Sequence, residues 1–196
     1  MSESELLNQA LPLPCGAVLQ NRIAKAAMSE HLANRRQSPS SGLIELYRTW
    51  SHSGAGLLIT GNVMVDPTHL ESLRNVAVRP SLDLDALRRW AQAGTQAGNH
   101  LWMQLNHPGR QTPASVHPEP VAPSAGEAVD LFKRVGAFAT PRAMSSEEIT
   151  AVIEAFASAA RLAKEAGFTG VQVHGAHGYL VNQFLTPLVN KRTDQW

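Results

Sequence analysis

Short apolar runs recur along the chain, and polar residues follow each run directly. Short apolar or β-branched runs that lie between turn residues are typical of buried strands. A short amphipathic segment and two extended pieces around a Cys15-Gly16 turn come first. The sequence then predicts strands at Ile23 to Met28, Leu57 to Thr60, Leu101 to Asn106 and Gly170 to His174.

Between these runs, the apolar positions take the three- and four-residue spacing of amphipathic helices. Ser81 is predicted to cap the second helix, and a capping box of Ser145 and Glu148 to begin the third, which ends at Gly167. The predicted buried faces are Leu43, Leu46, Tyr47 and Trp50 in the first helix, Leu84, Leu87 and Trp90 in the second, and Val152, Ile153, Phe156, Ala160 and Ala163 in the third. Strands that alternate with helices predict parallel βαβ units.

Two α/β folds are built from such units, and the polar residues favour one of them. A doubly wound sheet that binds phosphate would carry a glycine-rich phosphate loop, and neither common form of that loop occurs in the sequence. A TIM-type (β/α)8 barrel keeps its chemistry at the carboxyl ends of its strands. The polar residues at those ends are Ser29 and Glu30, Asn62, Asn106 and His107, and His174 and His177. We therefore expect residues 1–196 to form the first four β/α units of a barrel, a single truncated domain or half-barrel.

Composition narrows the class of protein. The chain has 196 residues, a formal net charge of +1 and 43% apolar residues, which suits a globular core and gives no general attraction to nucleic acid. Its lone Cys15 excludes an internal disulfide framework. The acidic N-terminus does not resemble a signal peptide, and no apolar run is long enough to span a membrane. These features predict a cytoplasmic protein that acts on a small molecule.

The segment His174-Gly175-Ala176-His177-Gly178-Tyr179 concentrates three polar rings after the fourth strand. Imidazole and phenol groups can both donate hydrogen bonds to a carbonyl oxygen, and a phenol can also deliver a proton. Two other interpretations remain open: the histidines could be a zinc pair, although no third ligand is evident, or ordinary surface residues.

Other polar residues carry paired interpretations of the same kind. Gln104 has the donors and acceptors that suit a flat heterocycle, but the pattern alone favours an amide tied to backbone. Ser29 could bond the edge of a planar ligand or could cap a turn. The proline-rich segment 107–145 is predicted to be a long irregular loop, which Arg110 could hold.

Four blocks in the right order and spacing resemble the NADH:flavin oxidoreductase/Old Yellow Enzyme family. They are Asn21 to Met28, Gln104-Leu105-Asn106-His107-Pro108-Gly109-Arg110, His174 to Pro187, and Asn190 to Asp194. The resemblance implies an FMN-dependent oxidoreductase that takes hydride from NAD(P)H and reduces activated alkenes such as α,β-unsaturated carbonyls. It implies flavin-binding roles for Ala26, Ala27, Met28, Ser29, Asn62 and Gln104. His174 and His177 would hold the substrate oxygen, and Tyr179 would donate the proton.

The family's later strands have no counterpart in this sequence, which puts the FMN phosphate site and a later basic residue in doubt. A second hypothesis is therefore a non-catalytic half-barrel, either a remnant or an assembly partner that forms a homo-oligomer or joins a missing C-terminal half. A third is a metal hydrolase that uses His174 and His177.

Overall fold

The computed structural model describes residues 3–79, 82–126 and 137–196. Helix α1 spans Glu3–Leu7, and an antiparallel pair follows it, with β1 at Leu11–Pro12 and β2 at Val18–Leu19. Gly16 adopts a φ of +88° in the turn between them, a conformation that glycine tolerates best. The predicted Cys15-Gly16 turn between two extended pieces is confirmed.

A parallel sheet carries the fold. Its strands in spatial order are β3 (Ala24–Lys25), β4 (Leu57–Ile59), β6 (His100–Asn106) and β9 (Gly170–Val173), with β5 (Val63–Met64) beside the carboxyl end of β6. All of these pairings are parallel, so the predicted βαβ units are confirmed. The first strand is shorter than predicted, because only Ala24 and Lys25 pair with β4. The sheet of the described residues is open and does not close into a barrel.

Strands β4 and β5 are one interrupted strand that contains an extra residue. Ile59 pairs with Trp102 and Val63 pairs with Leu105, so four steps along one strand match three along its neighbour. An extra residue of this kind makes a bulge, which bends a strand and redirects its side chains. The bulge falls at Thr60, Gly61 and Asn62, where the sequence predicted a polar strand end.

Two helices that precede β6 in the chain pack against the sheet. Helix α2 (Ser41–Ser51) begins at Ser40, whose side chain accepts from the Leu43 backbone N–H, and α3 (Leu84–Gly94) begins at Asp83 in the same way. Asp83 is thus the N-cap of α3, while Ser81, the predicted cap, lies outside the described residues. The core between helices and sheet contains the edge-on pair of Tyr47 and Trp90, with ring centroids 5.3 Å apart.

Helix α4 (Ser146–Ala166) has both of its predicted ends. The Ser145 and Glu148 capping box is formed, and Gly167 ends the helix at a φ of +96°. The prediction that Ile153 is buried is wrong, because 49% of this residue is exposed. The helix instead meets the sheet through small residues, Ala159, Ala163 and Ala166, which lie on a different side from Ile153.

The long connection after β6 is mostly irregular, as predicted. Its described part contains a 3₁₀ turn at Gly109–Gln111 and two short parallel strands, β7 (Val121–Ala122) and β8 (Arg142–Ala143); residues 127–136 lie outside the described residues. Helix α5 (Leu180–Leu185) follows β9. Within the described ranges, no helix is both long and apolar enough to cross a membrane.

Candidate active site

The local backbone orients His174, which directly follows β9. The backbone N–H of Ala176 donates to Nδ1 of His174 over 3.2 Å. A neutral imidazole whose Nδ1 accepts a hydrogen bond carries its proton on Nε2. Within the described part of the chain, no residue hydrogen-bonds to that Nε2 atom. His174 therefore has a donor N–H available for a ligand.

His177 and Tyr179 converge on the same imidazole. Their ring centroids lie 5.0 and 4.9 Å from that of His174, and both contacts are edge-on. The turn needs left-handed backbone at His177 (φ +58°) and Gly178 (φ +75°), and Gln111 Nε2 holds it by donating to the His177 carbonyl over 2.8 Å. The structure thus brings the three predicted catalytic residues together.

The electrostatic environment favours the neutral forms of His174 and Tyr179. Burial, together with the neighbouring His177, lowers the pKa of His174, although Glu71 opposes the effect. Burial and the charge of Glu71 raise the pKa of Tyr179 to about 12. At neutral pH the cluster therefore offers an imidazole N–H and a protonated phenol, both hydrogen-bond donors.

Ser29 and Asn62, two of the predicted flavin-binding residues, contact each other and a third residue. Ser29 Oγ lies 3.0 Å from Asn62 Oδ1 and 3.1 Å from Glu71 Oε2, and Asn62 Nδ2 donates to Glu71 Oε2 over 2.6 Å. His31 Nε2 lies 3.5 Å from Glu71 Oε1. Glu71 was not predicted as a site residue, because it lies in a loop with no recognisable motif.

Gln104 is buried on β6, and its neighbours fix its position. Its Nε2 donates to Gln172 Oε1 on β9 over 2.8 Å, while its backbone N–H donates to Thr60 Oγ1 over 2.9 Å. The side-chain amide thus bonds to another side chain rather than to backbone. The end of the first strand is more open: Ala26 and Met28 are exposed and Ala27 is half-buried. None of these three residues hydrogen-bonds to His174, His177 or Tyr179.

Glu30, which the sequence predicted only as a polar residue at the end of the first strand, anchors the bulge. Its Oε1 accepts from the Gly61 backbone N–H over 3.0 Å and from the Tyr47 hydroxyl, and Lys25 Nζ lies 3.9 Å away. A Cβ added at Gly61 would lie 2.3 Å from the Met28 carbonyl oxygen, so this position requires glycine. The network therefore holds Asn62 next to Ser29.

A second histidine cluster surrounds His107 at the end of β6. His69 Nδ1 lies 2.8 Å and His107 Nε2 lies 3.7 Å from Asp66 Oδ2, and the His69 ring stacks on that of His117. Burial alone would raise the pKa of Asp66, but the nearby His107 and hydrogen bonds from His69 and Thr68 hold it well below its usual range. Burial lowers the pKa of His107.

In the described ranges, Asp66, His69 and His107 are the one group of side chains spaced to hold a metal ion. However, His107 Nδ1 accepts from the Gly109 backbone N–H over 3.0 Å, which leaves the ring proton on Nε2, the atom that faces Asp66. A metal ligand usually has the opposite arrangement, with its second nitrogen donating. His174 and His177 belong to no such group among these residues, so nothing in the site favours the metal hydrolase.

Comparison with known proteins identifies the family. The model of the NADH:flavin oxidoreductase / NADH oxidase family matches residues 12–196. The chain belongs to this family. The NADH-dependent flavin oxidoreductase nadA of Aspergillus parasiticus is 40% identical to it over 188 residues, which cover 90% of this chain and 42% of that protein.

Two solved structures extend the likeness to the fold. An old yellow enzyme homologue from Zymomonas mobilis has a TM-score of 0.85 at 29% identity, and a morphinone reductase in complex with tetrahydroNAD has a TM-score of 0.86 at 30% identity. Each match covers 96% of this chain and 54% of the other. The chain thus spans about half of the length of each of these relatives, or less.

Proposed function

We propose that the chain supplies four of the eight β/α units of a barrel that binds FMN and oxidises NAD(P)H to reduce activated alkenes. Family membership supports a flavin and NADH as reactants. The share of the solved relatives that it covers, 54%, supports the half-barrel. The substrate class proposed is α,β-unsaturated carbonyls.

The polar side chains at the carboxyl ends of the strands fit a flavin. Its pyrimidine edge alternates N–H and C=O groups, and the Gln104 amide offers both a donor and an acceptor there. Ser29 and Asn62 add a hydroxyl and an amide beside the bulge. The small side chains of Ala26 and Ala27 leave the strand end open to a flat ring. The flavin would supply the hydride-transfer chemistry when bound.

The arrangement of His174 and Tyr179 carries this proposal. His174 Nε2–H, fixed by the Ala176 contact to Nδ1, would donate to the carbonyl oxygen of the substrate, and His177 would join it. Donors at that oxygen stabilise negative charge that develops there during reduction of the double bond. Tyr179 stays protonated at neutral pH and would deliver its proton to the α-carbon.

The test begins with the full chain, titrated with FMN while the quenching of flavin fluorescence is followed. Under anaerobic conditions, NADH should then bleach the bound flavin, and cyclohexenone should restore its colour as the double bond is reduced. Cyclohexanone, which lacks the double bond, is the matched control and should leave the flavin bleached. The proposal is contradicted if the chain binds no flavin, or if NADH does not bleach the bound flavin.

A second candidate, a non-catalytic half-barrel that pairs with another copy of the chain, has one observation in its favour. An apolar groove of about 380 Å³ runs between α4 and α5, and Ile153 and Phe184 line it. Val173 on β9 is also exposed, at 55%. Analytical ultracentrifugation of the unaltered chain and of the Ile153→Asp variant distinguishes the two candidates. A colourless dimer that the substitution dissociates supports the non-catalytic half-barrel.

A further inference from the structure

Glu71 occupies the hydrogen-bonding groups that the proposed flavin would need. Its carboxylate lies 2.6 Å from Asn62 Nδ2 and 3.1 Å from Ser29 Oγ, the two side chains assigned to the flavin edge. Asn62 is buried, and its Oδ1 also lies 3.4 Å from Asn75 Nδ2. Both donors are therefore already engaged by protein groups.

The Glu71 carboxylate and the flavin edge have the same hydrogen-bonding character, so they would compete for the same donors. The flavin edge next to N5 presents acceptor atoms in the oxidised state, and a carboxylate also presents only acceptors. An oxidised flavin and the Glu71 carboxylate would thus seek the same hydroxyl and amide donors. They would also repel each other, since neither can donate to the other.

The surroundings of Glu71 leave room for its release. Its side chain is 25% exposed, and its third contact, His31, is 48% exposed at the rim. Within the described residues, no lysine or arginine pairs with this carboxylate, so no fixed cation holds it in place.

We infer that Glu71 is a built-in competitor for the flavin edge, whose carboxylate must leave Ser29 and Asn62 before an oxidised flavin can bond to them. This inference rests on the proposed flavin site and adds a residue that sets the affinity of that site. Its charge also contributes to the raised pKa of Tyr179 and opposes the lowering of the pKa of His174, so its field reaches the proposed catalytic residues as well.

Binding of two flavins to the full chain tests the inference. FMN and riboflavin share the ring system, but riboflavin lacks the phosphate and its charge. Fluorescence quenching should show that Glu71→Gln and Glu71→Ala bind both flavins about tenfold more tightly than the unaltered chain, the scale of one hydrogen bond to a charged group. Glu154→Gln removes the same charge from an exposed position on α4 and should change neither affinity.

Each other outcome overturns the inference in a recognisable way. Weaker binding by the Glu71 variants would make the carboxylate a flavin ligand, and equal binding would make it a bystander. A gain for FMN alone would reflect charge repulsion from the phosphate rather than competition at the ring. In all three cases the chain still binds flavin, so the proposed function stands; if no variant binds either flavin, both proposals fail. Thermal unfolding followed by circular dichroism checks that every variant is folded.

Discussion

Two histidine turns at the ends of adjacent strands share one local geometry but differ in what lies beside the Nε2 atom of the histidine. The His107 turn (residues 107–111) follows β6 and the His174 turn (residues 174–179) follows β9; in both, a backbone N–H two residues on donates to Nδ1. His107 is 1% exposed and its Nε2 faces Asp66, whereas Nε2 of His174 faces no protein acceptor among the described residues. The same turn thus produces a structural histidine at His107, where Nε2 lies beside the Asp66 carboxylate. It produces a candidate for ligand binding at His174, where Nε2 has no such neighbour in the described part of the chain.

The first turn also supports the second. The His107 carbonyl accepts from the Leu180 backbone N–H over 2.9 Å, at the start of α5. Gln183 links the turns, since its Nε2 donates to the carbonyls of Pro108 and Gly178 over 3.2 and 2.7 Å. A more buried turn therefore holds a more open one in position, which is how a scaffold can fix a loop that binds ligands.

The largest expected effect separates the chemistry from the scaffold. Tyr179→Phe removes the proposed proton donor and keeps the ring that packs against His174. We expect reoxidation of the reduced flavin by cyclohexenone to slow by about 10²–10⁴-fold, the usual contribution of a positioned acid. Stopped-flow absorbance measures this step, and reduction by NADH serves as the control because it needs no such proton. Equal slowing of both steps would mean that the substitution disturbed flavin binding instead.

The link between the turns should carry much of the stability of this region. Gln183→Ala leaves the Gly178 carbonyl and the Arg110 N–H without their partner, whereas the Pro108 carbonyl keeps its bond from the Gln111 backbone N–H. Because Gln183 is fully buried, we expect the free energy of unfolding of the protein to fall by about 2–3 kcal/mol. Urea unfolding measures the change. Gln92→Ala, on the exposed side of α3, is the matched control and should cost less than about 0.5 kcal/mol.

One glycine in each turn sharpens the contrast. Gly109 has a φ of +58°, and a Cβ there would lie 2.5 Å from Gln183 Oε1, whereas a Cβ at Gly175 would meet Val181 Cγ1 at an ordinary 3.6 Å. Gly109→Ala should therefore lower the free energy of unfolding by about 1–2 kcal/mol. Gly175→Ala should change it by less than about 0.5 kcal/mol. Similar losses in urea unfolding for both variants would show that the two turns are equally constrained.

The sequence predicted what depends on neighbouring residues in the chain. The capping box at Ser145 and the cluster of His174 with Tyr179 are local, and the structure contains both. The bulge at Asn62 was missed because it arises from the register between separate strands. Ile153 was misplaced because a helical period indicates an apolar face without showing which part of it a neighbour covers. Glu71 approaches Ser29 from forty-two positions away, and no local pattern marks such a contact.

The last expected effect appears only in acid and concerns protonation of the buried turn. Burial holds the folded pKa of His107 below its ordinary 6.5, so below pH 6.5 the unfolded chain takes up a proton that the folded chain does not. His107 then lowers the free energy of unfolding by at most about 1.4 kcal/mol per pH unit as the pH falls. Above pH 6.5 the ring is neutral in both states and contributes no such dependence. Urea unfolding between about pH 7 and about pH 5 should give a flatter profile for His107→Asn, whose amide oxygen can still accept from Gly109. Parallel profiles would mean that the imidazole of His107 is protonated in the folded state as readily as in the unfolded state. The His107 turn would then be as open as the His174 turn.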